Sequence, residues 1–348
     1  MRDCNRDVRR VACALAMILP ASISAQGNKT ESALTPARVN APPAKFPLTI
    51  PSSGPVTLHL QLLLDRAYFS PGIIDGAWGL NAAKALAFFT RPDGTARLSG
   101  GTPETSKLIT RETYDRLRRA AGDRPLLRDY TITARDLAGP FTPIPKLVYN
   151  QAKLKCLCYS TPAEALAERF HTSEKLLAQL NPRLNLQALK AGTKLVVPNV
   201  LQENVATPMD TVIIARLIIS KSGFWTHAVN ADGVILAHYP STLGSGYDPS
   251  PTGHLKVTYV ARDPAYHYQP KLFSEVPDNE PDALLPPGPN SPVGRVWMSL
   301  SRKHYGIHGT SSPETIGYAQ SHGCVRLTNW SAIQLADMVE PGTPVEFH

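Results

Sequence analysis

The spacing of apolar residues changes character several times along the chain, and each change marks a different kind of element. Residues 26–55 are rich in Pro, Ser, Ala and Thr without apolar period and read as a flexible linker. From Val56 the spacing turns helical. Leu60, Leu62, Leu63 and Leu64 open an amphipathic segment, Ser70-Pro71-Gly72 breaks it, and Asp75-Gly76-Ala77-Trp78-Gly79 makes a turn. A second helix is predicted over 82–89. Thr110 can cap a third that carries Tyr114, Leu117 and Ala121 on one face. Residues 56–122 are therefore expected to form a small all-α domain.

Residues 123–154, interrupted by Pro140, Pro143 and Pro145, read as an extended linker. Residues 155–200 predict a βααβ module. Thr161-Pro162-Ala163-Glu164 is a capping box with Pro at the first helical position, and Leu166 and Phe170 share a face. A second helix starts at Thr172, carries Leu176, Leu177 and Leu180, and ends at Asn181-Pro182. A turn at Gly192 and a strand complete the unit. Residues 205–348 then look β-rich. Leu217-Ile218-Ile219 follows Arg216, and a hairpin turns at Asp232-Gly233. Strands joined by long loops predict a β-rich, sandwich-like domain. The stretch 277–292 is too proline-laden for a central strand and reads as a loop beside the site. Tyr266 and Tyr268, just before it, either line a groove or pack in the core.

A chain of 348 residues has room for two or three domains. Its first 25 residues combine four arginines with an apolar run at 11–19 and small residues at 21–25. That run is too short to span a bilayer, so a cleaved secretory signal is expected, leaving no membrane span. Cys13 lies inside the run rather than after it, which argues against lipid attachment. Removing the segment lowers the formal charge from +8 to about +6, a mildly basic balance that suits an anionic envelope polymer. Nothing resembles a nucleic-acid-binding motif. Of the remaining cysteines, Cys156 and Cys158 would close a very tight ring, so they read first as two separate strand cysteines, with a labile disulfide as the alternative. Cys324 has no obvious partner, and an unpaired thiol in an exported protein signals reactivity.

The densest chemistry lies in Ile-His-Gly-Thr at 307–310 and Ser-His-Gly-Cys-Val-Arg at 321–326. A thiol nucleophile needs a base, backbone N–H groups for an oxyanion, and a cation for an anionic substrate. Cys324 is the candidate nucleophile and His308 the candidate base. An inert buried cysteine and a zinc site are the bland alternatives; zinc is disfavoured because His322 and Cys324 sit too close to chelate from one strand and no fourth ligand is evident.

These residues resemble the signature of the YkuD-type L,D-transpeptidases, cysteine enzymes that cross-link bacterial peptidoglycan. Pro251-Thr252-Gly253, the Asn-Ser-Pro-Val-Gly run at 290–294 and the Pro-Gly-Thr-Pro-Val run at 341–345 match further positions of that family. Residues 56–122 resemble its peptidoglycan-binding helical modules, with Ala82 and Thr90 where Thr and Gln are usual. Residues 155–200 resemble LysM, a glycan-binding module. The resemblance implies that the Gly309 carbonyl orients His308, and that amides around His322, Gly323 and Cys324 hold the oxyanion, with Ser321 supporting the loop. It makes Arg326 and Tyr305 substrate-binding residues. It implies no cofactor and no metal. The partners would be peptidoglycan stem peptides and glycan strands, or an envelope protein as acceptor, in the periplasm or cell envelope. On this reading the N-terminal modules only raise local substrate concentration. Hydrolysis of the same acyl-enzyme, or a silent wall-binding protein, are the alternatives.

Overall fold

The computed structural model describes residues 33–91, 105–200, 214–273, 276–277 and 279–348; the signal read in residues 1–25 lies outside them. Three helices, Pro55–Arg66, Leu80–Phe89 and Arg111–Ala121, occupy the predicted positions of the first segment. Thr110 caps the third, its side chain accepting from the Thr113 amide. A short pairing of β1 (Leu48–Thr49) with β2 (Leu108–Ile109) adds a small sheet beside them. The first helix departs from the amphipathic expectation, because every residue from Thr57 to Arg66 is buried. A helix buried all round must find partners on all sides. Leu58, Leu60, Leu62 and Leu64 do so in one cluster that includes Tyr114 and Leu117 but also Leu176, Ile218 and Trp225 from far along the chain. The expected flexible linker is also ordered where it is described. Pro36–Asn40 is helical, Val39 and Ile50 are buried, and the Asn40 side chain accepts from the Leu126 and Leu127 amides at 2.8 Å each.

The second expected linker supplies a strand instead. β3 (Leu127–Thr131) pairs antiparallel with β4 (Lys194–Pro198), and the helices Pro162–Arg169 and Glu174–Leu180 between them complete the βααβ unit. Its first strand therefore precedes the 132–161 excursion rather than following it. Only Leu127 is buried in β3, which left little alternation to read. Thr161 accepts from the Glu164 amide at 3.0 Å, as a capping box requires. Ser173, not Thr172, caps the next helix, and the Thr172 hydroxyl donates to the Ile74 carbonyl at 2.6 Å. Cys156 and Cys158 are not separate strand cysteines. They are disulfide-bonded in irregular chain, 5.2 Å apart at Cα. The residue between them explains the arrangement. Leu157 is fully buried, and its amide and carbonyl each pair at 2.9 Å with Pro287 and Asn290.

The rest is β-rich. In chain order the strands are β5 (Arg216–Ser220), β6 (Trp225–Val229), β7 (Ile235–Pro240), β8 (Leu243–Gly244), β9 (Gly253–Arg262), β10 (Tyr266–Tyr268), β11 (Ala283–Leu285), β12 (Val296–Leu300), β13 (Gly306–His308), β14 (Gln320–Ser321), β15 (Val325–Arg326) and β16 (Pro344–Phe347). Instead of two packed sheets, one eight-stranded sheet runs β15-β13-β12-β9-β16-β5-β6-β7. It curls. Thr242, just past β7, exchanges both backbone hydrogen bonds with Arg326 on the opposite edge strand, at 3.0 and 2.8 Å. The free side of β7 is covered by Tyr68–Ser70 chain, through His238. Both devices hide edges that would otherwise be open to foreign strands. β10 pairs with β11 outside this sheet, so the proline-laden stretch does contain a short strand. The helix Asn329–Ala336 lays Ala332 and Leu335 on the sheet's core. Leu34–His348 form one compact unit.

Candidate active site

Residues paired across neighbouring strands point to the same face, and successive residues to opposite faces. β13 and β15 run parallel, with Ile307 facing Val325 and His308 facing Arg326. Ile307 and Val325 are buried in the core. His308, Arg326 and Cys324 consequently share the other face. The Cys324 thiol points to the His304 carbonyl at 3.7 Å.

The turn that presents Cys324 is braced from within and without. The Ser321 hydroxyl donates to the Cys324 carbonyl at 2.6 Å and accepts from the Gly323 amide at 3.2 Å. The Ser250 hydroxyl donates to the Gly323 carbonyl at 2.8 Å and accepts from the Gly244 amide. Gly323 has a φ of 102°, and a Cβ there would lie 2.8 Å from the Tyr305 ring. Only glycine meets both demands.

His308 is buried and its Nδ1 lies 2.7 Å from the Gly309 carbonyl. A carbonyl can only accept, so Nδ1 carries the proton and Nε2 of the neutral ring is left as the basic nitrogen. Burial, aided by the Arg326 charge and opposed by the Gly309 bond, lowers its pKa to about 3. Burial also pushes the Cys324 thiol up, against the Gly306 amide and Arg326. Arg326 is itself lowered by burial while Cys324 and Tyr266 hold its charge. Burial thus disfavours the charged form of both groups.

The remaining predicted residues lie close by. Tyr305 packs on Gly323, its hydroxyl 3.4 Å from the Pro249 carbonyl. Tyr266 joins the Cys324 and Arg326 surroundings, its pKa raised to about 12 by burial first and by Cys324 next. His322 sits edge-on to Phe273 at 4.7 Å, towards the 266–273 segment. Two residues escaped the sequence reading. Trp297 stacks on the His308 ring at 5.3 Å, a cross-strand pairing that register alone reveals. Asn329, fully buried behind the site, accepts from the Arg295 and Thr310 amides at 3.1 and 3.2 Å. Its only signal in the sequence was its place next to the helix cap Thr328.

The family of L,D-transpeptidase catalytic domains called YkuD matches residues 215–347, and the LysM domain family matches 164–198. The chain is 30% identical to the YkuD protein of Bacillus licheniformis over 182 residues, which is 52% of this chain and 90% of that one. The YkuD protein of Bacillus subtilis gives 30% over 181 residues, with the same shares. YbiS of Escherichia coli gives 30% over 190 residues, 53% of this chain and 60% of that one. All three carry L,D-transpeptidase names. The chain belongs to the YkuD family of L,D-transpeptidases. In this L,D-transpeptidase-family chain the LysM match begins inside the Pro162–Arg169 helix, so β3 and the disulfide excursion lie before it.

Proposed function

We propose that the chain is an exported peptidoglycan L,D-transpeptidase working through a Cys324 thioester. The observation that carries the reading is the Gly309-oriented His308 ring, on the same sheet face as Cys324. In the proposed reaction the His308 Nε2 takes the thiol proton as the sulfur attacks the carbonyl of a stem peptide's L,D bond, between a diamino acid and a terminal D-Ala. Burial disfavours a resting charge on either group, so proton transfer is proposed to accompany attack. The Cys324 amide receives the developing oxyanion, and Arg326 with Tyr305 and Tyr266 flanks the peptide. Collapse breaks the amide bond, and the proton passes from His308 to the departing D-Ala amine. A second amine, from a neighbouring stem or an envelope protein, then attacks the thioester and regenerates the thiol. The LysM unit and the helical segment keep the chain on glycan. Incubating the full chain with a tetrapeptide stem or a carbapenem should give one covalent adduct on Cys324, read by intact mass. The variant Cys324→Ala should give none while remaining folded and wall-bound. An adduct that survives in that variant would overturn the assignment.

A further inference from the structure

The peptide unit between Gly309 and Thr310 is held at both ends. Its carbonyl accepts from the His308 Nδ1, and its amide donates to the Asn329 Oδ1 at 3.2 Å. Asn329 is saturated: Oδ1 also accepts from the Arg295 amide at 3.1 Å, while Nδ2 donates to the Pro289 carbonyl at 3.1 Å and to the Glu168 Oε2 at 2.9 Å. The fit leaves no slack. A Cβ on Gly294 or Gly309 would stand 2.0 or 2.2 Å from the Asn329 Oδ1. Glu168 lies on the Pro162–Arg169 helix of the LysM unit, and its other oxygen accepts from the Tyr159 hydroxyl at 2.7 Å. On the same interface Asn290 donates to Glu164 at 2.8 Å and to the Cys158 carbonyl at 3.0 Å.

We infer that Glu168 of the LysM unit is a positioning residue for the catalytic base, acting through Asn329 on the Gly309–Thr310 peptide that orients His308. The inference rests on the acyl-transfer reading above and adds to it. The LysM unit then does more than hold the chain near its polymer, because one of its carboxylates completes the hydrogen-bond chain that sets the imidazole. The amide of Asn329 has two possible orientations, and only one offers an oxygen to Thr310. Glu168 and the Pro289 carbonyl both accept, so they select that orientation. Burial holds the Glu168 carboxyl up to about 7, against the Tyr159 and Asn329 bonds and the Arg295 charge and with Glu164 adding to the rise. A carboxyl in such surroundings relies on its two donors, which makes the contact to Asn329 hard to replace by water.

The test uses the full chain with Glu168→Ala, Glu168→Gln and Asn329→Ala, and scores acylation of Cys324 by a carbapenem at pH 7 through intact mass. A second readout is alkylation of the same thiol by iodoacetamide at pH 10, where hydroxide can take the thiol proton in place of His308. Glu168→Ala and Asn329→Ala should slow the maximal acylation rate about 10- to 100-fold while half-saturation stays within about twofold, as loss of orientation does. Alkylation at pH 10 should stay unchanged. Glu168→Gln keeps an acceptor for Asn329 and should recover acylation to within about threefold of the parent. If Asn329→Ala does not fold, the Glu168 pair decides alone. Acylation by Glu168→Ala at the parent rate would overturn the inference and leave the acyl-transfer reading intact. So would Glu168→Gln as slow as Glu168→Ala, or acylation and alkylation falling together. A parent chain that is never acylated would overturn both.

Discussion

The two histidines of the signature stand in different surroundings. His308 lies on β13, buried under Trp297, with Nδ1 committed to Gly309. His322 lies in the turn against Phe273. A base supplies about 10²–10⁴-fold in rate, so His308→Ala should lower acylation of Cys324 by that order. His322→Ala should leave a measurable remainder, because what it loses is turn support. Acylation rates of the two variants by a tetrapeptide donor decide the matter; equal rates, or a dead His322→Ala beside a live His308→Ala, would reverse the roles. The candidates at this scale could be named from the sequence, since Cys324, His308, Gly309 and Arg326 stand within a short motif. The Gly323 conformation was not, because its φ of 102° follows from the Ser321, Ser250 and Tyr305 contacts that converge on the turn.

The elements that carry these residues also bury titratable groups, and this gives stability a sign with pH. On β6 and β7 the His227 Nε2 and His238 Nδ1 lie 2.9 Å apart and are shut in by Phe88 and Trp225. Burial, then the Lys84 charge, lowers His238 to about 3, burial and His238 lower His227 well below its usual value, and His308 stands at about 3. As pH falls below about 6.5 the unfolded chain takes up protons that the folded chain refuses, so stability is lost towards acid, by up to about 1.4 kcal/mol per pH unit for each histidine. Glu168, with its carboxyl raised to about 7 by burial, works the other way between roughly 7 and 4.5 and offsets one of the three. Urea midpoints between pH 6.5 and 5 should therefore fall for the parent chain, and fall less steeply for His238→Gln. A flat profile would show that these histidines are not buried neutral. The amphipathic reading of the first helix failed at this scale for a related reason. Its polar residues look solvent-facing in sequence, yet Arg66 donates to the Gly122 and Arg124 carbonyls and Asp65 meets His171 at 3.0 Å.

For the molecule as a whole, the segments from Leu34 onward are parts of one unit rather than modules on tethers. Asp65 of the first helix, His171 of the LysM unit and Trp330 of the last helix meet at one point, His171 stacking on Trp330 at 5.2 Å. A fragment of residues 205–348 would bare Ile218, Trp225, Val229 and Ile235, which share a cluster with the first helix, and would uncover the edge of β7. Each such side chain contributes about 1.5–3 kcal/mol by burial, against a total stability of about 5–15 kcal/mol. The fragment is thus expected to be insoluble or to unfold without cooperativity. A soluble fragment melting within a few degrees of the full chain, followed by circular dichroism, would show that the segments are independent after all.

Residue type and short-range spacing were enough to nominate the chemistry and to place most of the local elements. The candidate thiol, candidate base and glycine turn stand at short spacing, and caps such as Thr110 and Thr161 act within one helical turn. Long-range folding settled where β3 pairs, that Cys156 and Cys158 are joined around a docked Leu157, that the sheet curls until Thr242 meets Arg326, and that Asn329 stands between Glu168 and the peptide beside His308. The physical reason is common to all four. Each depends on backbone or side-chain hydrogen-bond partners tens to more than a hundred positions away, and hydrophobic period and capping rules carry no information about which distant partner a polar group will find.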